Sequence, residues 1–512
     1  MKNGTILLAG IIIIKFILQY TLIDPVYELH RDEYLHLDQG RHLAWGYFSV
    51  PPFTSWISKL ILLLGGGTFW VKFFPALFGA LTIWIVWKTI EALGGGLFAR
   101  ALGAVSVLFS VVLRINILFQ PNSADIFFWT LIYYLLVRYI QSGKTKWIYW
   151  AAIAFGFAFL NKYNIVFLVA AIIPAGLLTE HRKLFLRKEL YFAILLALLI
   201  ISPNLYWQYQ NNFPVFRHMK ELADTQLVNM NRMDFIKEQL MFFAGSFFVI
   251  IAALLSFFTF PPFRSFRIIF WSFVFAFLVF VYLKAKGYYA IGLYPVLIAF
   301  GAVYIENLVK GRWRFFVRPL ALAIPAFLFF PMVRIAFPIY TPEEIEKDSK
   351  TYEELGLLRW EDGKQHHLPQ DFADMLGWKE LAAKVDQAYS RLPGKDNNLV
   401  LCDNYGQAGA INYYSGTKNI NALSLNADYI NWIPADSLFK NVILVKDADD
   451  TDPQRLEEQP HFAGITLYDS IENRFAREKG TRIYILRKAD STINDKLQAE
   501  ILQRKKRWSG KN

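Results

Sequence analysis

A single cysteine, Cys402, stands in a chain of 512 residues. No internal disulfide can form, and no cysteine-based metal site is available. Charge is scarce as well: Asp, Glu, Lys and Arg make up 19% of the chain, against about a quarter in ordinary soluble proteins. There is no glycine-rich phosphate cradle, since Gly65-Gly66-Gly67 and Gly94-Gly95-Gly96 read as loop punctuation. In place of these stand a hydrophobic share of 55%, an aromatic share of 17% and a mean hydropathy of +0.29. That balance excludes a disordered chain, a collagen-like one and an ordinary soluble enzyme, and it points to lipid.

Charge also divides the chain. Residues 1–340 carry 30 basic and 14 acidic side chains, a net of +16, whereas residues 341–512 carry 24 and 28, a net of −4. A net charge of +12 would suit a nucleic-acid binder if the basic residues shared one soluble face. They lie instead in short loops between apolar runs, so nucleic acid is set aside and the membrane surface is the expected partner. The expected domains are a transmembrane part, 1–340, and a soluble α/β domain, 341–512.

Apolar runs of about 18 residues cross roughly 30 Å of hydrocarbon. About eleven such candidates occur: 5–23, 69–90, 99–118, 124–140, 147–160, 163–179, 190–207, 240–261, 268–284, 288–308 and 319–337. The first reads as a retained anchor, because no small-residue cleavage site follows it before Asp24. Lys15 within it is an intramembrane charge with no evident partner. With a cytoplasmic N terminus, the loops 141–146, 180–189, 262–267 and 309–318 place Lys and Arg inside, and the tail falls outside. Ten of the fourteen acids of the membrane part then lie on the outer side, among them Asp32, Glu33 and Asp125. Ionisable residues at membrane depth are costly and usually face a cavity or a partner, which draws attention to Asp125 and Lys162.

The segment Tyr27 to Tyr34, then Arg41-His42-Leu43-Ala44-Trp45-Gly46-Tyr47-Phe48 and Pro51-Pro52-Phe53, is too polar to span and rich in aromatics. It reads as helices lying in the interface and holding Asp32 and Glu33 above the headgroups. Adjacent carboxylates repel, which can raise one pKa, and a base must reach its proton directly or through one water. The bland readings are a solvated pair at a helix start, a helix cap at Asp125, a snorkelling or anchoring role for Lys162 and Lys286, and solvated loop charges at Arg217 and His218. His30, His36 and His42 lack partners at a recognisable metal-ligand spacing, so no metal or other cofactor is indicated.

This first-loop pattern resembles that of the bacterial relatives of protein O-mannosyltransferases, glycosyltransferase family 39, a broad group that includes the lipid A aminoarabinose transferase. Further matches are Pro121-Asn122-Ser123-Ala124-Asp125, Asn161-Lys162-Tyr163, Ser202-Pro203-Asn204-Leu205-Tyr206-Trp207, Phe213-Pro214, Lys286-Gly287-Tyr288-Tyr289 and Tyr294-Pro295. In the tail they are Asp374-Met375-Leu376-Gly377-Trp378 and Asn404-Tyr405-Gly406-Gln407-Ala408-Gly409-Ala410. The resemblance implies an α-helical polytopic membrane protein of the C-type glycosyltransferase fold, with a C-terminal soluble α/β domain. It implies transfer of a sugar, with inversion, from a polyprenyl-phosphate donor to an envelope acceptor outside the cytoplasm of a bacterial inner membrane. By the same analogy Asp32 is the catalytic base and Glu33 holds the acceptor or tunes Asp32. Substrate binding falls to Asp125, Lys162, Arg217, His218, Lys286, Tyr288 and Tyr289. One departure is Ser49-Val50, where many relatives carry an acid followed by His, Lys or Gln, so a metal or phosphate contact from that position is not expected and another cation must compensate if the activity is retained.

A transporter or flippase of lipid-linked sugars would share the helices and the basic loops. Such proteins usually show internal repeats and midplane charges, whereas this chain shows no repeat and gathers its acids at one face. A polysaccharide polymerase or ligase would share the lipid-linked substrate but not the early Asp-Glu pair. In the tail, strands are expected at Asn398–Asp403, Val442–Lys446 and Arg482–Arg487, and a helix at Asp371–Tyr389. Tyr413, Tyr414, Tyr429 and Trp432 suit a core or a sugar-stacking surface, and Arg504-Lys505-Lys506-Arg507 suits anionic headgroups or free solvation.

Overall fold

The computed structural model describes residues 2–225, 231–394, 397–417, 420–434 and 438–509. Among the described residues, seven helices are long and apolar enough to cross a membrane: Asn3–Thr21, Thr68–Ala92, Asn122–Ser142, Lys188–Gln210, Pro261–Tyr282, Gly287–Leu308 and Gly311–Ala336. Two bent pairs, Ile165–Leu177 with Glu180–Leu186 and Arg232–Phe242 with Ala244–Thr259, would bring the number to nine. The remaining two expected runs are helical but short: 99–118 divides into Leu97–Leu108 and Val111–Ile115, and 147–160 is the 16-residue helix Lys146–Asn161. Composition alone marks an apolar stretch, whereas the break between helices is set by Ser110, whose hydroxyl accepts from the Val112 amide and starts a new helix. Lys15 is closed into protein, 1% exposed, and donates to Gln19 one turn on at 2.9 Å.

Two short helices, Arg31–Arg41 and Phe53–Leu63, follow the first span, as the aromatic-rich segment predicts. The segment around Arg217 and His218, which reads from sequence as a solvated loop, is largely helical. It holds the helices Pro214–Thr225 and the start of Arg232–Phe242, and residues 226–230 lie outside the described residues. Phe216 and Met219 remain exposed on the first of these, in keeping with an amphipathic helix at an interface.

The tail contains a five-stranded sheet in the order β2-β1-β3-β5-β4, formed by β1 Asn398–Cys402, β2 Ala422–Ser424, β3 Asn441–Lys446, β4 Phe462–Ser470 and β5 Arg482–Ala489. The first three run parallel, and β5 pairs antiparallel with β3 and β4. The central β3 is a continuous apolar run buried on both faces, which is why it was legible. The unforeseen β2 has three residues, and β4 is a partly exposed edge strand. The expected helix at 371–389 breaks into Gln370–Ala373 and Trp378–Ser390 at Gly377, whose φ of 84° favours glycine. A helix, Tyr405–Tyr414, links β1 to β2, and Ser491–Ser509 ends the described tail. Asp447 lies beside Asp403 and Glu478, and burial together with these two carboxylates pushes its pKa up to about 6. A carboxyl raised above its unfolded value makes the fold lose stability as pH rises from about 4 to about 6. Asp447→Asn should therefore raise the thermal midpoint of the tail at pH 7 and change it little at pH 4, as read by calorimetry.

The tail packs on the Arg31–Arg41 helix. Tyr34, fully buried, meets the rings of Trp378, Tyr413 and Tyr414 at 5.7, 5.8 and 5.8 Å. The Tyr429 hydroxyl donates to Asp38 at 2.6 Å, Gln39 donates to Asp428 at 2.9 Å, and Trp432 stacks on His42 at 4.4 Å. The four tail aromatics thus build the interface with the first loop. From the other side, Glu33 of this helix reaches Lys72 of the Thr68–Ala92 span at 2.7 Å, with both side chains buried. Breaking a buried pair leaves an uncompensated charge and costs about 3–5 kcal/mol. Lys72→Met should lower stability by about that much in thermal unfolding in detergent, and adding Glu33→Gln should restore part of the loss.

Candidate active site

The Arg31–Arg41 helix starts with a capping box. His30 Nδ1 accepts from the Asp32 amide at 3.2 Å, and Glu33 Oε2 accepts from the His30 amide at 2.7 Å. Asp32 therefore stands in the first helical turn, where the exposed amides favour a carboxylate. Its side chain is 35% exposed. Tyr405 donates to Oδ1 at 2.8 Å and Gln120 donates to Oδ2 at 3.0 Å. Burial opposes its charge, but His30, Arg31 and the Tyr405 hydroxyl outweigh this and hold the carboxyl below its usual value. His30 is 4% exposed and has Asp374 at 3.5 Å from Nε2 and Asp32 at 3.9 Å from Nδ1. Burial works against the imidazolium here too, yet Asp374, Asp32 and Asp371 lift its pKa to about 9. The ring can cap through Nδ1 only while that nitrogen is unprotonated, so the cap and the doubly protonated ring exclude each other.

The neighbouring Glu33 has no such opening. It is fully buried, and besides Lys72 and the His30 amide it accepts from the Phe119 amide at 2.7 Å. The carboxylate expected to hold the acceptor or to tune Asp32 is thus met by protein donors and ties the helix to its neighbours. Two adjacent acids thus have opposite fates because successive helical residues point about 100° apart.

From Asp32 a hydrogen-bonded chain runs to the cation predicted at the membrane edge. Gln120 Oε1 accepts from Asn122 at 3.0 Å, and Asn122 Oδ1 accepts from Lys162 Nζ at 2.7 Å. The Lys162 ammonium stands 5.0 Å from the centre of the Tyr288 ring and 4.5 Å from that of Tyr289. Asp125, 4% exposed, accepts from Trp129 at 3.0 Å and Asn164 at 2.9 Å, and Asn164 also donates to the Tyr289 carbonyl at 3.2 Å. Asp125 supports the site from below and presents almost no surface to a ligand. Tyr163 donates to Asn204 at 3.1 Å, and Asn204 donates to the Trp45 carbonyl at 2.6 Å, so three separate sequence motifs converge.

Lys286 forms an ion pair with Glu361 at 2.8 Å. His218 lies edge-on to Phe48 at 5.5 Å, and burial, with the Lys286 charge, holds its imidazole below the ordinary value. Arg217 turns away, donating to the Arg507 carbonyl at 2.7 Å and the Asn211 carbonyl at 3.3 Å. The sequence-predicted residues Asp32, Lys162, Tyr288 and Tyr289 thus share one site, His218 and Lys286 flank it, and Arg217 serves the junction with the last helix. Gln120, Asn122, Lys72, Asn164 and Tyr405 were missed. Four of them carry no charge, and Tyr405 is far away in sequence, although Asn122, Asn164 and Tyr405 lie in or beside motifs already singled out. Among the described residues no group of His, Cys, Asp and Glu is arranged to hold a metal.

Residues 49–207 match the family model described as dolichyl-phosphate-mannose-protein mannosyltransferase. The lipid A galacturonosyltransferase RgtD of Rhizobium johnstonii is 24% identical over 221 residues, 43% of this chain and 46% of that protein. The match thus spans about half the length of this curated relative. The structure of ArnT from Cupriavidus metallidurans bound to undecaprenyl phosphate superposes with a TM-score of 0.64 at 13% identity, covering 95% of this chain and 98% of the other. Its apo form gives 0.64 at 14% identity, covering 94% and 98%. The chain thus shares the fold of the ArnT structures over nearly its whole length and matches the mannosyltransferase family model over residues 49–207.

Proposed function

We propose that the chain is an inverting membrane glycosyltransferase that moves a sugar from a polyprenyl-phosphate donor to an envelope acceptor, on the non-cytoplasmic side of a bacterial inner membrane. The observation that carries this reading is the line Asp32–Gln120–Asn122–Lys162, with an accessible carboxylate at one end and a cation at the other. In the step envisaged, an acceptor hydroxyl gives its proton to Asp32 while its oxygen bonds to the sugar's anomeric carbon. The bond from that carbon to the phosphate oxygen breaks, and the lipid phosphate leaves with the electron pair. Lys162, with Lys286 nearby, would meet the charge growing on the phosphate, and Tyr288 or Tyr289 could donate a hydrogen bond to it. The last two roles take the place of the contact that Ser49-Val50 does not supply.

Topology agrees with this placement. The basic loops favour the cytoplasm, which puts Asp32 and the tail outside. The undecaprenyl phosphate of the ArnT structure supports the donor class, and the lipid A substrate in the name of the Rhizobium relative supports an envelope acceptor. A lipid, a glycan or a protein hydroxyl would each meet the chemistry of the base.

Asp32→Asn keeps the shape of the side chain and removes the base. Turnover in the reconstituted protein should fall about 10²–10⁴-fold, with polyprenyl-phosphate binding retained. Unchanged turnover in a folded mutant removes Asp32 from the reaction. In cells, the lipid-linked sugar that accumulates in the mutant, read by mass spectrometry, identifies the donor.

A further inference from the structure

We infer that the soluble tail is part of the active site, and that Tyr405, which it carries, is a positioning residue for Asp32. The inference rests on the reading of Asp32 as the base. The carboxylate is held by one donor from each body of the protein. Gln120, from the membrane part, takes Oδ2, and Tyr405, from the tail, takes Oδ1 at 2.8 Å. With both oxygens engaged, rotation of the carboxylate about its last bond is stopped, while the second lone pair on each oxygen remains for an acceptor hydroxyl. The 35% exposure of the side chain leaves room for that hydroxyl to approach.

The tyrosine is itself fixed. Tyr405 is the first residue of its helix, and Asn404 and Gln407 form a reciprocal capping box around it. Asn404 and Gln407 in turn donate to Asp447 at 3.1 and 2.6 Å, which ties the helix start to the end of β3. The Arg31 guanidinium lies 4.6 Å from the centre of the Tyr405 ring. Further along the helix Gly409 sits against Tyr34, where a β-carbon would come within 2.6 Å of the Tyr34 β-carbon. That close approach brings the hydroxyl of Tyr405 within reach of Asp32. A second link runs from the tail through Asp374, which is held by Arg477 at 3.1 Å and faces His30 at 3.5 Å. The His30 ring lies against the Asp32 amide on its other side. The tail therefore reaches both the side chain and the backbone of the base.

Two expectations separate this from a packing role. A hydroxyl donating to a carboxylate favours its ionised form, so losing the donor raises the pKa of the base. Losing orientation lowers kcat while leaving donor binding alone. Tyr405→Phe keeps the ring under Arg31 and deletes only the donor. In the full-length reconstituted protein it should lower kcat about tenfold, change KM for the donor less than about twofold, and move the acid limb of the pH profile to higher pH. Tyr414→Phe is the control, because Tyr414 lies in the same helix and its ring packs on Tyr34 without touching Asp32. It should leave the pH profile where it is.

An acid limb and kcat unmoved by Tyr405→Phe would overturn the inference while the base reading stands through Asp32→Asn. Equal losses in Tyr405→Phe and Tyr414→Phe would also overturn it, since they would report docking alone. If Asp32→Asn retains turnover, both the base reading and this inference fall.

Discussion

The buried ion pair between Glu33 and Lys72 fixes the short helix from which the rest of the site is built. Two charges taken out of water are costly, and they are tolerated here because each Glu33 oxygen receives more than one donor. That pair ties the Arg31–Arg41 helix to the Thr68–Ala92 span at one face. The tail closes over the other face through Tyr34, Asp38 and Gln39. Asp32, the next residue along the chain from Arg31, is left at the seam between the two bodies. Its partial exposure follows from that position: one helical residue must face the seam when its neighbour faces the membrane core.

The polar chain from Asp32 to Lys162 crosses three elements without a second carboxylate. Gln120 and Asn122 are neutral, so they transmit geometry rather than charge. Each can donate and accept at once, which lets a base and a cation stand at a fixed separation without collapsing into a salt bridge. Direct pairing would neutralise the base and occupy the cation. Asp125 offsets the ammonium from below and is almost wholly enclosed, so the face of Lys162 toward Tyr288 and Tyr289 keeps its positive field. Such an arrangement suits a reaction in which negative charge develops on one group while a proton moves to another.

The sequence carried the membrane character, the class of fold and several of the residues that the structure gathers around Asp32 and Lys162. Long apolar runs and an Asp-Glu pair beside aromatics are signals of composition and local order, and both survive translation into structure. Helix breaks at Ser110 and Gly377 did not, because a run of apolar or helix-favouring residues hides a single capping or left-handed residue. Asp32 and Glu33 look alike in a sequence and diverge only when Lys72 and Phe119 arrive from elsewhere. Gln120 and Tyr405 escaped because a reading led by charge passes over neutral donors. The placement of Tyr405 depends on a contact between residues more than 370 positions apart, and no local pattern encodes that distance.

The proposed reaction depends on where the lipid phosphate sits relative to Asp32. A structure of the reconstituted protein with a polyprenyl phosphate bound measures this directly. The phosphate is expected within hydrogen-bonding reach of Lys162, beside Tyr288 and Tyr289, with the position of the missing sugar opening toward the free lone pairs of Asp32. A phosphate held at the opposite face, among the basic loops 180–189 and 309–318, would contradict the proposed reaction.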